Sequence, residues 1–203
     1  MTKTFKITVS ILLSITAIIL YFTLKGEERK KAMIGMITCT LGDLFMVDAF
    51  GIGVASLYPG AGFFMLGHII YGFGFIKASK RKGYTLVNGG FKGGVIFTLT
   101  LTIGLAVLTF IQPEPEMFFF VLLIYIAVIG FNLACQFSYA VNKKGTRYML
   151  ILGMSLFIIS DFIIFLNMVN VMPSHNDLVW ATYIPAQALI ILFNSDFKKL
   201  KDI

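Results

Sequence analysis

The chain reads as an all-α, polytopic transmembrane helix bundle, and three observations predict it. Of its 203 residues 58% are hydrophobic and only 13% are charged, whereas an ordinary soluble domain is about a quarter charged. Seven apolar stretches each approach the roughly 20 residues that a helix rising about 1.5 Å per residue needs to cross hydrocarbon. The connections between them are short, and lipid offers the backbone no hydrogen-bond partner, so only helices satisfy such segments from within. One transmembrane domain over 1–203 is expected, with no soluble domain and with the membrane as its location, a bacterial cell membrane by expectation.

Each span has its own justification. The first, 5–24, could be mistaken for a signal peptide, but its run from Ile7 to Leu24 exceeds an ordinary h-region and reaches Lys25 without a small-residue cleavage site. It is expected as a helix of the mature chain. The second, 32–50, contains "CTLGDLFMVD" (39–48), with Asp43 and Asp48 set in apolar sequence. The third, 58–77, carries His68 and Tyr71. The fourth, 92–111, follows the pairs Gly89-Gly90 and Gly93-Gly94, which lack the strand context of a phosphate loop and predict a flexible lead-in. The fifth, 117–141, is uniformly apolar, and the sixth, 147–170, holds Asp161. The seventh, 178–196, holds Tyr183, Pro185 and Gln187, and the proline is expected to kink it and free a carbonyl. Cys39 and Cys135 lie inside apolar runs, without the spacing of a metal cluster or a disulfide framework.

Charge orients the bundle. Fifteen of the seventeen lysines and arginines follow the first, third, fifth and seventh spans, from Lys25, Arg29, Lys30 and Lys31 to Lys198, Lys199 and Lys201. The alternate connections carry Glu114, Glu116 and Asp177 and no basic residue. The positive-inside rule then places the C-terminus in the cytoplasm and the N-terminus outside, with Lys3 and Lys6 dissenting. The formal charge of +7 is accounted for by topology and anionic headgroups. A nucleic-acid partner is not indicated, because no basic face with interleaved aromatics lies outside the apolar spans.

An ionisable side chain at mid-bilayer costs about 2.5 to 3.5 kcal/mol on insertion scales, so each one needs a reason. Asp43, His68, Asp161, Tyr183 and Gln187 fall at depths that permit one shared polar cavity, whereas Asp48 falls at a helix end that water can reach. His68 and Tyr71 are spaced i, i+3 and Tyr183 and Gln187 i, i+4, so each pair shares a helix face. Gly42 beside Asp43 and Gly67 beside His68 remove bulk and let neighbouring helices approach. Two carboxyls facing a cavity of low dielectric should not both be ionised, and one neutral acid beside one carboxylate is an acid/base arrangement.

The stretches "LGDLFMV" (41–47), "FFMLGHIIYGFGF" (63–75), "GMSLFIISDFIIFLN" (153–167) and "TYIPAQALI" (182–190) resemble, in the same order, the motifs of the lysoplasmalogenase, or YhhN-like, family of integral membrane proteins. The resemblance covers nearly the whole chain. It departs at the start: the family carries an additional first helix followed by a Lys-Pro pair, and here Lys3 or Lys6 stands in the lysine's place without the proline. The loss of one helix from an eight-helix family agrees with an N-terminus outside. The resemblance implies a hydrolase acting on the vinyl ether bond of lysoplasmalogen, releasing a fatty aldehyde and a glycerophospho-alcohol, with no cofactor or metal. It implies Asp43 and Asp161 as the catalytic carboxyls, His68 and Tyr71 as orienting groups, Tyr183 and Gln187 as substrate-binding groups, and Lys3 or Lys6 as partners for the phosphate. The expected partners are the lysophospholipid substrate and membrane lipids.

Two other classes remain open at this point. A metal-dependent membrane lipid hydrolase needs ligands such as three His with a position left for water, and the chain has only His68 and His175. A lipid or proton-coupled small-solute transporter would also bury acids, but the two Asp-bearing spans do not occupy corresponding halves of an inverted repeat.

Overall fold

The computed structural model describes residues 1–111, 116–142, 147–168 and 176–192. Glu114, Lys143, Lys144, His175, Lys198, Lys199 and Lys201 lie outside the described residues. Among those described there are seven α-helices and no strand: α1 Lys3–Leu24, α2 Glu27–Met46, α3 Leu57–Arg81, α4 Gly89–Ile111, α5 Glu116–Asn142, α6 Arg147–Met168 and α7 Asn176–Leu192, with a 3₁₀ turn at Gly53–Ser56 leading into α3. By length and composition α1, α4, α5, α6 and the segment Gly53–Arg81 suffice to cross a membrane. Among the described residues α7 is a shorter apolar helix of 17 residues, and the charged first turns of α2 break its hydrophobic run.

Helix α2 also starts five residues before and ends four residues before its expected bounds. Its opening residues Glu27, Glu28, Arg29, Lys30 and Lys31 interrupt any hydrophobic window, yet acidic groups suit the positive end of a helix dipole. The structure supplies partners as well. Glu28 pairs with Arg81 of α3, Glu27 pairs with Lys77 at 3.3 Å, and the Arg29 guanidinium donates to the Ile191 carbonyl in α7 at 2.8 Å. At the other end Asp48 takes a left-handed conformation, φ 51°. Its Oδ1 accepts the backbone N–H groups of Ile52 and Gly53 at 2.8 and 3.1 Å, which ends the helix in a capped turn.

The helices form a ring. α1 packs on α2, α2 on α3, α3 on α5, α5 on α6 and α6 on α7; α7 returns to α1 and α2, and α4 lies outside against α5. Close approach depends on glycine. A Cβ at Gly67 of α3 would stand 2.6 Å from the Cys39 sulfur and 3.1 Å from the Gly35 carbonyl of α2, so these backbones are in contact as the small residues predicted. Two of the glycines opening α4, Gly90 and Gly94, are a correction. Asn88 fixes the start of that helix, its Oδ1 accepting the Phe91 N–H at 3.1 Å while its Nδ2 donates to the Ser138 carbonyl of α5 at 2.9 Å. A Cβ at Gly94 would come within 2.6 Å of the Ala134 Cα, and one at Gly90 would strike the Phe137 carbonyl. Spacing of i, i+4 makes this pair a flat face for α5, and its role is packing.

The core inside the ring runs from Met36, Cys39 and Phe75 through Leu133, Tyr139 and Leu150 to Met154, Phe157 and Ile190, each at most 2% exposed. Phe5, Ile15, Ile19, Phe22, Ile96 and Ile103 are exposed on outward helix faces, the inverse of a water-soluble pattern and the pattern of helices solvated by hydrocarbon.

Candidate functional site

Asp43 is 2% exposed in the last turn of α2, and a chain of three side chains ends on it. The Tyr71 hydroxyl of α3 donates to Gln187 Oε1 at 3.2 Å. Gln187 Nε2 donates to the Tyr183 oxygen at 3.2 Å, and the Tyr183 hydroxyl donates to Asp43 Oδ2 at 3.0 Å. All three donors point the same way, toward the carboxyl. Linked hydrogen bonds polarise one another in the same direction, and the last of them would strengthen about twofold with Asp43 ionised. Helix α7 contributes two links because Tyr183 and Gln187 are one turn apart.

Asp161 of α6 is partly buried and has a phenol of its own, the Tyr125 hydroxyl of α5 donating to Oδ2 at 3.2 Å. The sequence reading missed Tyr125. Nothing polar stands near it in α5, and its partner is 36 residues away in the chain.

Both carboxyls border one cavity of about 490 Å³, which Lys3, Lys6, Tyr183 and Asn167 also line. It opens at the end of the bundle where α1, α3 and α7 begin. Lys6 lies 5.6 Å from the centre of the Trp180 ring and 3.8 Å from Asp177, while the Lys3 ammonium donates to the Asp48 backbone carbonyl. Among the described residues the Asn167 Oδ1 has no hydrogen-bond partner, which leaves it able to accept one from a bound molecule. The structure therefore brings together Asp43, Asp161, Tyr183, Lys3 and Lys6, and Asp48 joins the same wall with its carboxyl engaged by the backbone.

His68, Tyr71 and Gln187 do not line this cavity. Tyr71 and Gln187 act on it through Tyr183. His68 is 0% exposed, accepts a hydrogen bond at Nδ1 from Asn132 Nδ2 of α5 at 2.7 Å and packs its ring 4.3 Å from that of Phe157. Its nearest polar partner is thus an amide, and this second buried contact was also unread in the sequence. Among the described residues no three His, Cys, Asp or Glu side chains gather as a metal site.

The apolar exterior, the long hydrophobic helices and the polar cavity held within them define a polytopic helical protein of the membrane. The chain belongs to the YhhN family, whose sequence profile matches residues 1–193. Neither the curated proteins nor the solved structures contain a match to it.

Proposed function

We propose that this protein is a lysoplasmalogenase-type hydrolase that cleaves the vinyl ether of an alkenyl lysophospholipid by carboxyl acid/base catalysis. The observation that carries the reading is the sharing of one cavity by Asp43, Asp161, Lys3 and Lys6. Paired carboxyls match the acid chemistry of an enol ether, and two ammonium groups at the outer end match a phosphate.

Asp161 is the acid in this reading. It borders two apolar clefts as well as the polar cavity, so it is the carboxyl that meets the apolar part of the substrate. It gives its proton to the β-carbon of the vinyl ether. The double-bond electrons form the new C–H bond, and positive charge spreads over the α-carbon and the ether oxygen, as in glycoside cleavage. Asp43, receiving the Tyr183 hydroxyl, is the carboxylate that faces this cation. Water adds to the α-carbon and its proton passes to Asp43. In the collapse of the hemiacetal Asp43 returns that proton to the departing glycerol oxygen, and Asp161 recovers one from the hemiacetal hydroxyl, so aldehyde and glycerophospho-alcohol leave with both acids restored.

The test is aldehyde release by purified protein from an alkenyl lysolipid, compared with its acyl and saturated-alkyl counterparts. Aldehyde from the alkenyl substrate alone, lost in Asp43→Asn and in Asp161→Asn, is the expected result. A folded protein that releases none refutes the reading, and solute or lipid flux into proteoliposomes would then be the property to measure.

A further inference from the structure

We propose that the apolar cleft between α3, α5 and α6 seats the hydrocarbon chain of the substrate and is its way in from the lipid; this rests on the hydrolase reading, whose polar cavity the cleft adjoins. The cleft measures about 80 Å³ and is lined by Leu57 and Ala61 of α3, Leu122 and Tyr125 of α5, and Ile164 and Phe165 of α6. Its walls are not separate from those of the polar cavity. Met46, Leu57, Phe64, Asp161 and Ile164 face both, so the two adjoin along one wall, with Lys3 and Lys6 at the polar side and α5 at the apolar side. Asp161 stands at the junction. An amphiphile with one chain fits that division in only one sense, with phosphate at the lysines, reacting bond beside Asp161 and chain leaving between α3 and α5.

A second apolar cleft of about 100 Å³ lies between α4, α5 and α6. It shares Leu122, Tyr125, Asp161 and Phe165 with the first, but only Asp161 with the polar cavity. A chain placed there would have to turn around the Asp161 carboxyl and past the Tyr125 ring. The first cleft needs no such turn, and at its rim Tyr58 is 49% exposed on the outer face of α3. The cleft is also about a sixth the size of the polar cavity. It embraces only the carbons nearest the ether, and the remainder of the chain stays in the bilayer. Selection is therefore by the vinyl ether and the first few carbons, with little dependence on total chain length.

The experiment uses the full chain in proteoliposomes and a saturated-alkyl ether lysolipid carrying a diazirine near the ether end of its chain. This probe is not hydrolysed, so binding is read without turnover. Photolabelling followed by peptide mapping is expected to mark 57–64 and 121–125. Ala61→Trp, which fills the cleft, should lower that label about tenfold, the effect of displacing about two buried methylenes. Leu122→Trp serves as the second filling variant should Ala61→Trp not fold. Label on α1 or α4, or on α2 away from Met46, or label unchanged by a folded filling variant, overturns the proposal. Aldehyde release assayed in parallel separates the two ideas: aldehyde with label elsewhere leaves the hydrolase reading and removes the chain seat, and label in the cleft without aldehyde does the reverse.

Discussion

Replacing Tyr183 by Phe removes a single oxygen from the middle of a four-group chain, and both neighbours of that oxygen lose a partner. Asp43 loses the donor at 3.0 Å, and the Gln187 amide loses its acceptor at 3.2 Å. The ring itself stays, packed edge-on at 5.8 Å from Phe64 and 5.5 Å from Trp180, so the change is electrostatic. A hydrogen bond to a charged group contributes about 1.5 to 3 kcal/mol, and at about 1.36 kcal/mol per tenfold its loss in the transition state lowers kcat/KM by roughly ten- to 150-fold. Tyr183 lines the cavity whereas Gln187 acts through it, so Gln187→Leu alone should be milder. In the double variant the amide left unpaired by the first change is gone. The two effects should therefore fall short of additivity by about 1 kcal/mol. The assay is initial-rate aldehyde release for the four members of the cycle, with thermal unfolding in the same detergent to separate folding from turnover. Full additivity, or a Tyr183→Phe variant with unaltered kcat/KM and normal unfolding, would show that the chain does not act on Asp43.

Other substitutions test the remaining parts of the site and fold. Tyr125→Phe should lower kcat about tenfold with KM nearly unchanged, because it releases the Asp161 carboxyl without touching the phosphate end; a KM effect alone would contradict that placement. Lys6→Met should raise KM roughly tenfold for a phosphate-bearing substrate and leave an alkenyl glycerol without phosphate unaffected, so equal effects on both would remove the lysine from phosphate binding. Gly94→Ala forces a methyl onto the Ala134 backbone and should destabilise by about 1 to 3 kcal/mol. Gly104→Ala, where a Cβ meets nothing within 4 Å, should instead stabilise by up to about 1 kcal/mol through helix propensity. Thermal midpoints moving in the same direction for these two would refute the assigned α4 packing.

Legibility in the sequence followed the rarity of the signal. Asp43 and Asp161 stand out because carboxyls inside apolar runs are expensive, and Tyr183 with Gln187 because a one-turn spacing in a short helix fixes their common face. Tyr125 is one aromatic residue among many in α5, and only the crossing of α5 by α6 gives it a carboxyl. The same holds for Asn132, whose partner His68 lies 64 residues earlier. The start of α2 was hidden by its own charges: a hydropathy window cannot register that Glu28 and Arg29, at 4% and 3% exposed, have partners in α3 and α7. The glycines in the first turns of α4 have the composition of a hinge, and it is the neighbouring backbone of α5 that makes Gly90 and Gly94 a packing face.

The first and seventh helices meet, and this sets when the site comes into being. Lys3, Lys6 and Asp43 are synthesised well before Trp180 and Tyr183, which complete the same wall; Tyr183 follows Asp43 by 140 residues. While those 140 residues are being made, the growing chain carries the Asp43 carboxyl without the phenol that partners it. The cavity is complete only once the ring closes, and a chain cut short before α7 would keep both carboxyls and lack the Tyr183 wall.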